Sequence, residues 1–227
     1  MTTLGDAALE VGGAEQPRTE AMSAKQVLTY MVERFHPNLY VACSFQKEAS
    51  VIMDLVLQIE PRARFFTLDT GLFFPETYAT WRALEQRYDV KIDVYQGMSL
   101  ARQAELHGDE LWKRNPDACC VLRKVSALKE ALSDVDGWIT GIRREHSPGR
   151  RDATKLQWDH KHNLWKANPL ADWSEKDVWR YIFDHDLPYN ELHDRGYDSI
   201  GCTHCTLPGT ARDGRWAQTD KVECGLH

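Results

Sequence analysis

The sequence predicts an α/β fold: a mostly parallel, twisted sheet flanked by helices and followed by a loop-rich C-terminal tail. Three observations carry this. Short apolar runs rich in β-formers alternate with longer runs of helical apolar spacing, which implies parallel strands joined by right-handed crossovers. The 227 residues suffice for one large α/β domain or two small ones. From Leu187 onward Gly, Pro, Asn and Asp are frequent, so regular structure gives way to loops.

The elements follow in order. Residues 1–20 are rich in Gly, Ala, Glu and Thr without periodicity and read as a flexible leader. Ser23 is placed to cap a helix reaching about Phe35. Leu39-Tyr-Val-Ala-Cys43 reads as a strand, Ser44 to Glu48 as a tight loop, and residues 49–59 as a helix with apolar positions at Val51, Ile52, Leu55, Val56 and Ile59. The unit then repeats. Residues 64–68 form a strand, Asp69-Thr-Gly71 a turn, and Pro75 opens a helix through Arg87, Pro being tolerated in a first turn. Residues 90–95 alternate as a strand, residues 116–132 form a helix, and Gly137-Trp-Ile-Thr140 is a further strand leading into Gly141-Ile-Arg-Arg144. Residues 164–169 are extended, and Ser174 with Asp177 builds a variant capping box for a helix. In parallel sheets ligands sit beyond the carboxyl ends of strands, which singles out residues 43–50, 68–78 and 141–151.

Composition excludes several classes. No apolar run approaches membrane-spanning length. Residues 1–18 lack the apolar core of an export signal, so a cytoplasmic location is expected, and cysteines there read as metal-binding or catalytic before disulfides. A net charge of −6 argues against a general nucleic-acid binder while leaving room for a local basic pocket. The eight tryptophans show no stacking series and read as packing.

Five constellations bear chemistry. The polar loop Ser44-Phe-Gln-Lys-Glu-Ala-Ser50 offers backbone N–H groups, the Ser44 and Ser50 hydroxyls, the Gln46 amide and the Lys47 charge to an anion at a helix start. It lacks the glycines of a P-loop, and an ordinary β–α turn explains it equally. Leu68, Asp69 and Thr70 end a strand, where Asp69 and Thr70 suit a ribose or base edge, although Asp and Gly are common in turns. Gly141-Ile-Arg-Arg-Glu-His-Ser-Pro-Gly-Arg-Arg151 holds four arginines, Arg143, Arg144, Arg150 and Arg151, in a shaped loop of an acidic chain, which suggests an oxyanion clamp through bidentate forks.

Cys119-Cys120 and Cys202-Thr-His-Cys205 supply four thiolates, the ligand set of a zinc ion or an iron–sulfur cluster. Adjacent ligands diverge by about 100° on a regular helix. A cluster with several irons tolerates that better than one zinc, yet spacing alone leaves both open. Lys124 lies one helical turn beyond Cys120. The fifth constellation is the tail, where Arg212, Arg215 and His227 surround a spare thiol, Cys224, in Glu223-Cys-Gly-Leu-His227. Cationic neighbours favour a reactive thiolate, and Gly225 leaves the backbone free to bend.

Together Ser44-Phe-Gln-Lys-Glu48, Leu68-Asp-Thr-Gly71 with Pro75-Glu-Thr-Tyr78, Gly141-Ile-Arg-Arg144 and Glu223-Cys-Gly-Leu-His227 resemble the motifs of the assimilatory sulfonucleotide reductases, over roughly residues 39–227. The extra cysteine pairs resemble the branch that carries a [4Fe–4S] cluster and uses adenosine 5′-phosphosulfate with thioredoxin as reductant. The resemblance implies an adenine nucleotide α-hydrolase-like sheet. It implies Cys224 as nucleophile, Cys119, Cys120, Cys202 and Cys205 as cluster ligands, and Lys124 between cluster and substrate. Ser44, Gln46, Lys47, Ser50, Leu68, Asp69, Thr70, Gly141, Arg143, Arg212, Arg215 and His227 become substrate contacts, with Arg150 preferred over Arg151 as the single anion-binding arginine of its loop. A leader (1–20), a nucleotide- and cluster-binding domain (21–205) and a mobile catalytic tail (206–227) are expected. Three alternatives remain open: the 3′-phosphorylated nucleotide as substrate, a zinc-stabilised nucleotide-binding module, and an ATP-pyrophosphatase, against which the glycine-poor loop and the tail cysteine count. No nucleic-acid or membrane partner is expected, and a homo-oligomer is left open.

Overall fold

A computed structural model describes residues 16–217 and 219–226. Six strands form one mostly parallel sheet: β1 (Leu39–Ala42), β2 (Arg64–Leu68), β3 (Ile92–Tyr95), β4 (Gly137–Ile139), β5 (Leu156–Asp159) and β6 (Leu164–Ala167). Their order across the sheet is β3-β2-β1-β4-β6-β5. The α/β expectation is borne out. Among the described residues no helix is long and apolar enough to cross a membrane.

The chain separates into two compact units. The first comprises residues up to 42 together with 47–65 and 134–187. Here β1 pairs parallel with β4, Tyr40 opposite Trp138, and β4 pairs parallel with β6, Trp138 opposite Lys166. Strand β5 runs antiparallel to β6, Trp158 opposite Trp165. Helices α1 (Gln16–Glu20), α2 (Ala24–Phe35) and α3 (Lys47–Leu57) belong to this unit. Helix α2 starts at the expected cap: Ser23 Oγ accepts from Gln26 N, and the Gln26 side chain accepts from Ser23 N. Its Val27, Leu28, Met31 and Phe35 are buried at helical spacing, as are Ile52 and Val56 of α3.

Two expectations are corrected in this unit. Residues 16–20, read as part of a leader, form α1, with Thr19 buried and Glu20 paired to Arg144. Residues 1–15 lie outside the described residues. Strand β5 went unread because Leu156, Gln157, Trp158 and Asp159 alternate over only four residues and gain strand character by pairing with β6.

The second unit comprises residues 43–46, 66–133 and 188–226 of the described chain. Helix α4 (Pro75–Tyr88) begins at the expected proline. Two short helices then follow where none was expected, α5 (Leu100–His107), capped by Ser99, and α6 (Leu111–Arg114). In α5 only Gln103 is buried, so the segment lacks the apolar stripe that reveals a helix in sequence. The helix expected over 116–132 is present but not uniform. It runs as α7 (Pro116–Cys120), a π-helical turn (Val121–Val125), then α8 (Ser126–Ala131). Helix α9 (Glu175–Asp184) of the first unit carries the expected Ser174–Asp177 capping box.

Candidate functional site

In the second unit the four paired cysteines meet. Cys119, Cys120, Cys202 and Cys205 line one cavity with Thr70, Lys124 and Arg215. A π-helical turn begins at Val121, directly after the cysteine pair that ends the regular helix. Gly97 permits this turn to pack. A Cβ there would lie 2.4 Å from the Leu122 carbonyl oxygen, which instead accepts from Met98 N at 3.0 Å. Arg123 Nη1 reaches back to the Met98 carbonyl at 2.7 Å. Opposite, Cys202 opens a 3₁₀ turn (Thr203–Cys205), held by Thr203 N to the Leu72 carbonyl at 2.8 Å. Trp216 N donates to the Cys205 carbonyl at 3.0 Å, folding the tail back over this turn.

Electrostatics divide the cavity thiols: burial disfavours the anion at three of them, while neighbouring cations favour it at Cys202. Burial pushes Cys120 and Cys205 up to about 11, and raises Cys119. Burial also penalises Cys202, yet Lys124, the Thr70 hydroxyl at 3.3 Å, Arg215 and Arg123 outweigh it and bring this thiol below its ordinary value. Partial desolvation of half-buried Lys124 opposes its charge, but Cys202 and Cys224 raise its pKa on balance. Among the described residues, four buried N–H groups of the cavity lining find no acceptor: Arg123 Nε, Arg215 Nε, Trp112 Nε1 and Trp216 Nε1. Buried donors without acceptors are costly, so the wall is built for an acceptor-rich, anionic occupant.

The donor set and these orphaned donors fit a thiolate-ligated, sulfide-bearing group. Among the described residues no three His, Cys, Asp or Glu side chains are grouped as ligands of one metal ion.

The tail lies beside this cavity. Lys221 Nζ pairs with Asp117 of α7, and Arg212 Nη2 holds Glu223 at 3.0 Å and the Val222 carbonyl at 3.4 Å. These contacts bracket half-buried Cys224. Arg212, Arg215 and Lys221 all face the Trp216 ring, at 5.6, 4.4 and 5.4 Å from its centroid. Sequence reasoning missed Trp216, Trp112 and Arg123. The signal for Trp216 was its place directly after Arg215 in a cationic tail. His227 lies outside the described residues.

Other expected contacts have different surroundings. Asp69 is committed to Gly71 N, the Tyr78 hydroxyl and the Gln96 amide, at 2.8, 2.9 and 3.2 Å. Thr70 is buried and turns to Cys202 rather than to a free edge, whereas Leu68 is half-buried. Gln46 Oε1 accepts from Ile200 N at 2.7 Å, tying the loop after β1 to the approach to Cys202. Phe45 sits between them at φ 57, stacked on Trp81 at 5.0 Å, and Ser44 is exposed.

In the first unit the expected anion cations split into two kinds. Arg143 is almost wholly buried. Its Nε bonds Glu48 at 2.9 Å, its Nη2 bonds Glu175 at 2.5 Å, and its Nη1 reaches Glu145 at 3.3 Å. Lys47, equally buried, pairs with Glu175 at 3.1 Å. Lys47 and Arg143 are thus paired with three carboxylates, Glu48, Glu145 and Glu175. Gly141 permits the network, because a Cβ there would lie 2.9 Å from Glu48 Cβ. Ser50 is buried and its hydroxyl has no hydrogen-bond partner among the described residues. Arg150 is half-buried and Arg151 exposed, both on the loop shaped by the turns Arg144–His146 and Pro148–Arg150.

Residues 38–208 match the family described as the phosphoadenosine phosphosulfate reductase domain. The chain is 45% identical to a protein of Salinibacter ruber (strain DSM 13855 / M31) named adenosine 5′-phosphosulfate reductase, over 92% of this chain and 85% of that protein. It is 46% identical to one of the same name from Geobacillus kaustophilus (strain HTA426), over 94% and 95%. A phosphoadenylyl-sulfate reductase crystal structure from Candida auris, a phosphate complex, superposes with a TM-score of 0.75 at 31% identity, covering 85% of this chain and 94% of that one. A Candida glabrata FMN adenylyltransferase shares the fold alone, with a TM-score of 0.59 at 15% identity, over 91% and 74%. The chain belongs to the phosphoadenosine phosphosulfate reductase domain family.

Proposed function

We propose that this protein reduces adenosine 5′-phosphosulfate to sulfite and AMP, with Cys224 as nucleophile and thioredoxin or a similar dithiol as reductant. One observation carries the reading: half-buried Lys124 lines the cavity of the four paired cysteines together with Arg215, and Cys202, Cys224 and Cys120 together favour its charged form. Identity of 45% and 46% to proteins named adenosine 5′-phosphosulfate reductase supports the substrate.

The Cys224 thiolate attacks the sulfate sulfur. The bond from that sulfur to the bridging oxygen breaks, AMP leaves with the electron pair, and Cys224 carries an S-sulfonate. A thiolate of the reductant then attacks Cys224 Sγ, sulfite leaves, and a mixed disulfide forms. The second reductant thiol resolves it, returning Cys224 and leaving the dithiol oxidised by two electrons. Lys124, Arg212 and Arg215 stabilise the crowded oxyanions, the largest protein contribution to such a displacement. In the first unit, Arg150 or Arg151 offers a bidentate fork to an oxyanion. Opening of the Arg212–Glu223 and Lys221–Asp117 pairs releases the tail toward the reductant.

Cys119, Cys120, Cys202 and Cys205 would hold a [4Fe–4S] cluster, which when bound supplies an anionic sulfur face opposite Lys124. Thr70, Arg123, Arg215 and the two tryptophan N–H groups orient and desolvate that face. The likeness to the Candida auris phosphoadenylyl-sulfate reductase favours a second reading, the 3′-phosphorylated nucleotide as substrate. Sulfite release from each nucleotide by anaerobically purified protein with reduced thioredoxin tests both. Turnover of only the 3′-phosphorylated form overturns the first reading.

A further inference from the structure

We propose that Glu20 is a positioning residue for the arginine loop, its carboxylate closing the base of the loop so that Arg150 and Arg151 are presented to an oxyanion. The inference rests on the reading that this loop binds the phosphosulfate. Residues 144–155 form a loop of the first unit, and Glu20 holds both of its ends, Arg144 and Lys155. Its Oε2 accepts from Arg144 Nη2 at 2.5 Å, and its Oε1 accepts from Lys155 N at 2.7 Å. The two ends are also tied to each other, since Arg144 Nε donates to the Ala153 carbonyl at 2.7 Å.

The clamp is anchored from the other side. Lys155, buried, donates through Nζ to the Glu20 and Met22 carbonyls at 3.1 and 2.5 Å and pairs with Asp172 at 2.7 Å. Thr19, on α1 beside Glu20, is buried. The loop's upper part is braced by its own turns: Arg150 N to the Ser147 carbonyl at 3.0 Å, and Ala153 N to the Arg150 carbonyl at 3.0 Å. A side chain added at Gly149 would meet nothing within 4 Å. The turns give the upper part its own shape, and Glu20 ties together the two ends of its base. Glu20 lies before residue 38, where the match to the family domain begins, so the clamp is supplied from outside the shared domain.

The test compares Glu20→Ala and Glu20→Gln with wild type in steady-state turnover, adenosine binding, and amide hydrogen exchange of the loop. Glu20→Ala is expected to raise KM for adenosine 5′-phosphosulfate about 10- to 100-fold, the size of effect that displacing a positioning element produces. Affinity for adenosine, which lacks the anion, should stay within about twofold, because uniform binding elsewhere is untouched. Exchange should quicken in residues 144–155. Glu20→Gln keeps an acceptor for Lys155 N while losing the charge facing Arg144, and should fall between the two. KM unchanged in Glu20→Ala overturns the proposal, as does parallel loss of adenosine and nucleotide affinity. If Glu20→Ala does not fold, a wild-type KM in Glu20→Gln overturns it. Normal KM in both Arg150→Ala and Arg151→Ala would instead sink the arginine-loop reading on which the proposal rests.

Discussion

Replacing Arg143 by Met should cost this protein about 3 kcal/mol at neutral pH, and less in acid. The magnitude follows from Glu48, whose side chain is 5% exposed and lies 2.9 Å from an Arg143 side chain 1% exposed. Burial pushes the Glu48 carboxyl up, but Lys47, His146 and Arg143 outweigh it and carry it from 4.5 down to about 2. A folded value below the unfolded one contributes stability that is present above pH 4.5 and lost as pH falls through about 2. That gap corresponds to about 3 kcal/mol. Breaking one partner of a buried pair independently suggests ~3–5 kcal/mol. Arg143 supplies only part of the field at Glu48, but its loss also strips Glu175 of a partner at 2.5 Å. Without Arg143, Glu48 takes up a proton at a higher pH, so the penalty shrinks in acid. Urea unfolding of wild type, Arg143→Met, Glu48→Gln and the double variant at pH 7.5 and pH 4 measures both effects. A coupling of about 2 kcal/mol between the two sites is expected. A loss under about 1 kcal/mol, or one equal at both pH values, would refute the reasoning.

Cys224→Ser should bind adenosine 5′-phosphosulfate with affinity within about threefold of wild type yet release no sulfite, since only the attacking atom changes; sulfite from that variant removes Cys224 from the mechanism. Serine at any of Cys119, Cys120, Cys202 or Cys205 should lower bound iron and acid-labile sulfide together, measured on anaerobically purified protein, because each thiolate is one of four ligands. Zinc in place of iron in the wild type would favour the zinc-module alternative. Lys166 is buried in the first unit, which lowers its pKa from 10.5 to about 8 despite Asp159 nearby. The unfolded chain therefore binds more protons between those values, and stability should rise as pH increases from about 8 toward 10.5. Lys166→Met should flatten that rise in urea midpoints, and an unchanged slope would contradict the assignment.

The strand–helix alternation was legible because burial of one helix face or one strand face leaves a local period, as in Val27, Leu28 and Met31 of α2. Ser23 and Ser174 were legible as caps because a cap bonds within three residues. Helix α5 was not, since its single buried residue, Gln103, is polar. The cysteine pairs were legible as a set by their residue type, and Cys224 by its place in the tail. What the two arginine groups do was not. Arg143 and Arg215 read alike in sequence, yet one is consumed by Glu48, 95 positions away, and the other lines the thiol cavity with an N–H left without an acceptor.

By itself the sequence determined the fold class, the local elements, the four-plus-one division of cysteines and the family resemblance, all of which are written in residue type and short spacing. Only the tertiary structure decided which cations are spent on buried carboxylates and which face the thiols. It also revealed the π turn behind Cys119 and Cys120, and showed Glu20 holding both ends of the arginine loop. Those choices depend on desolvation and on partners far apart along the chain, and neither leaves a local pattern.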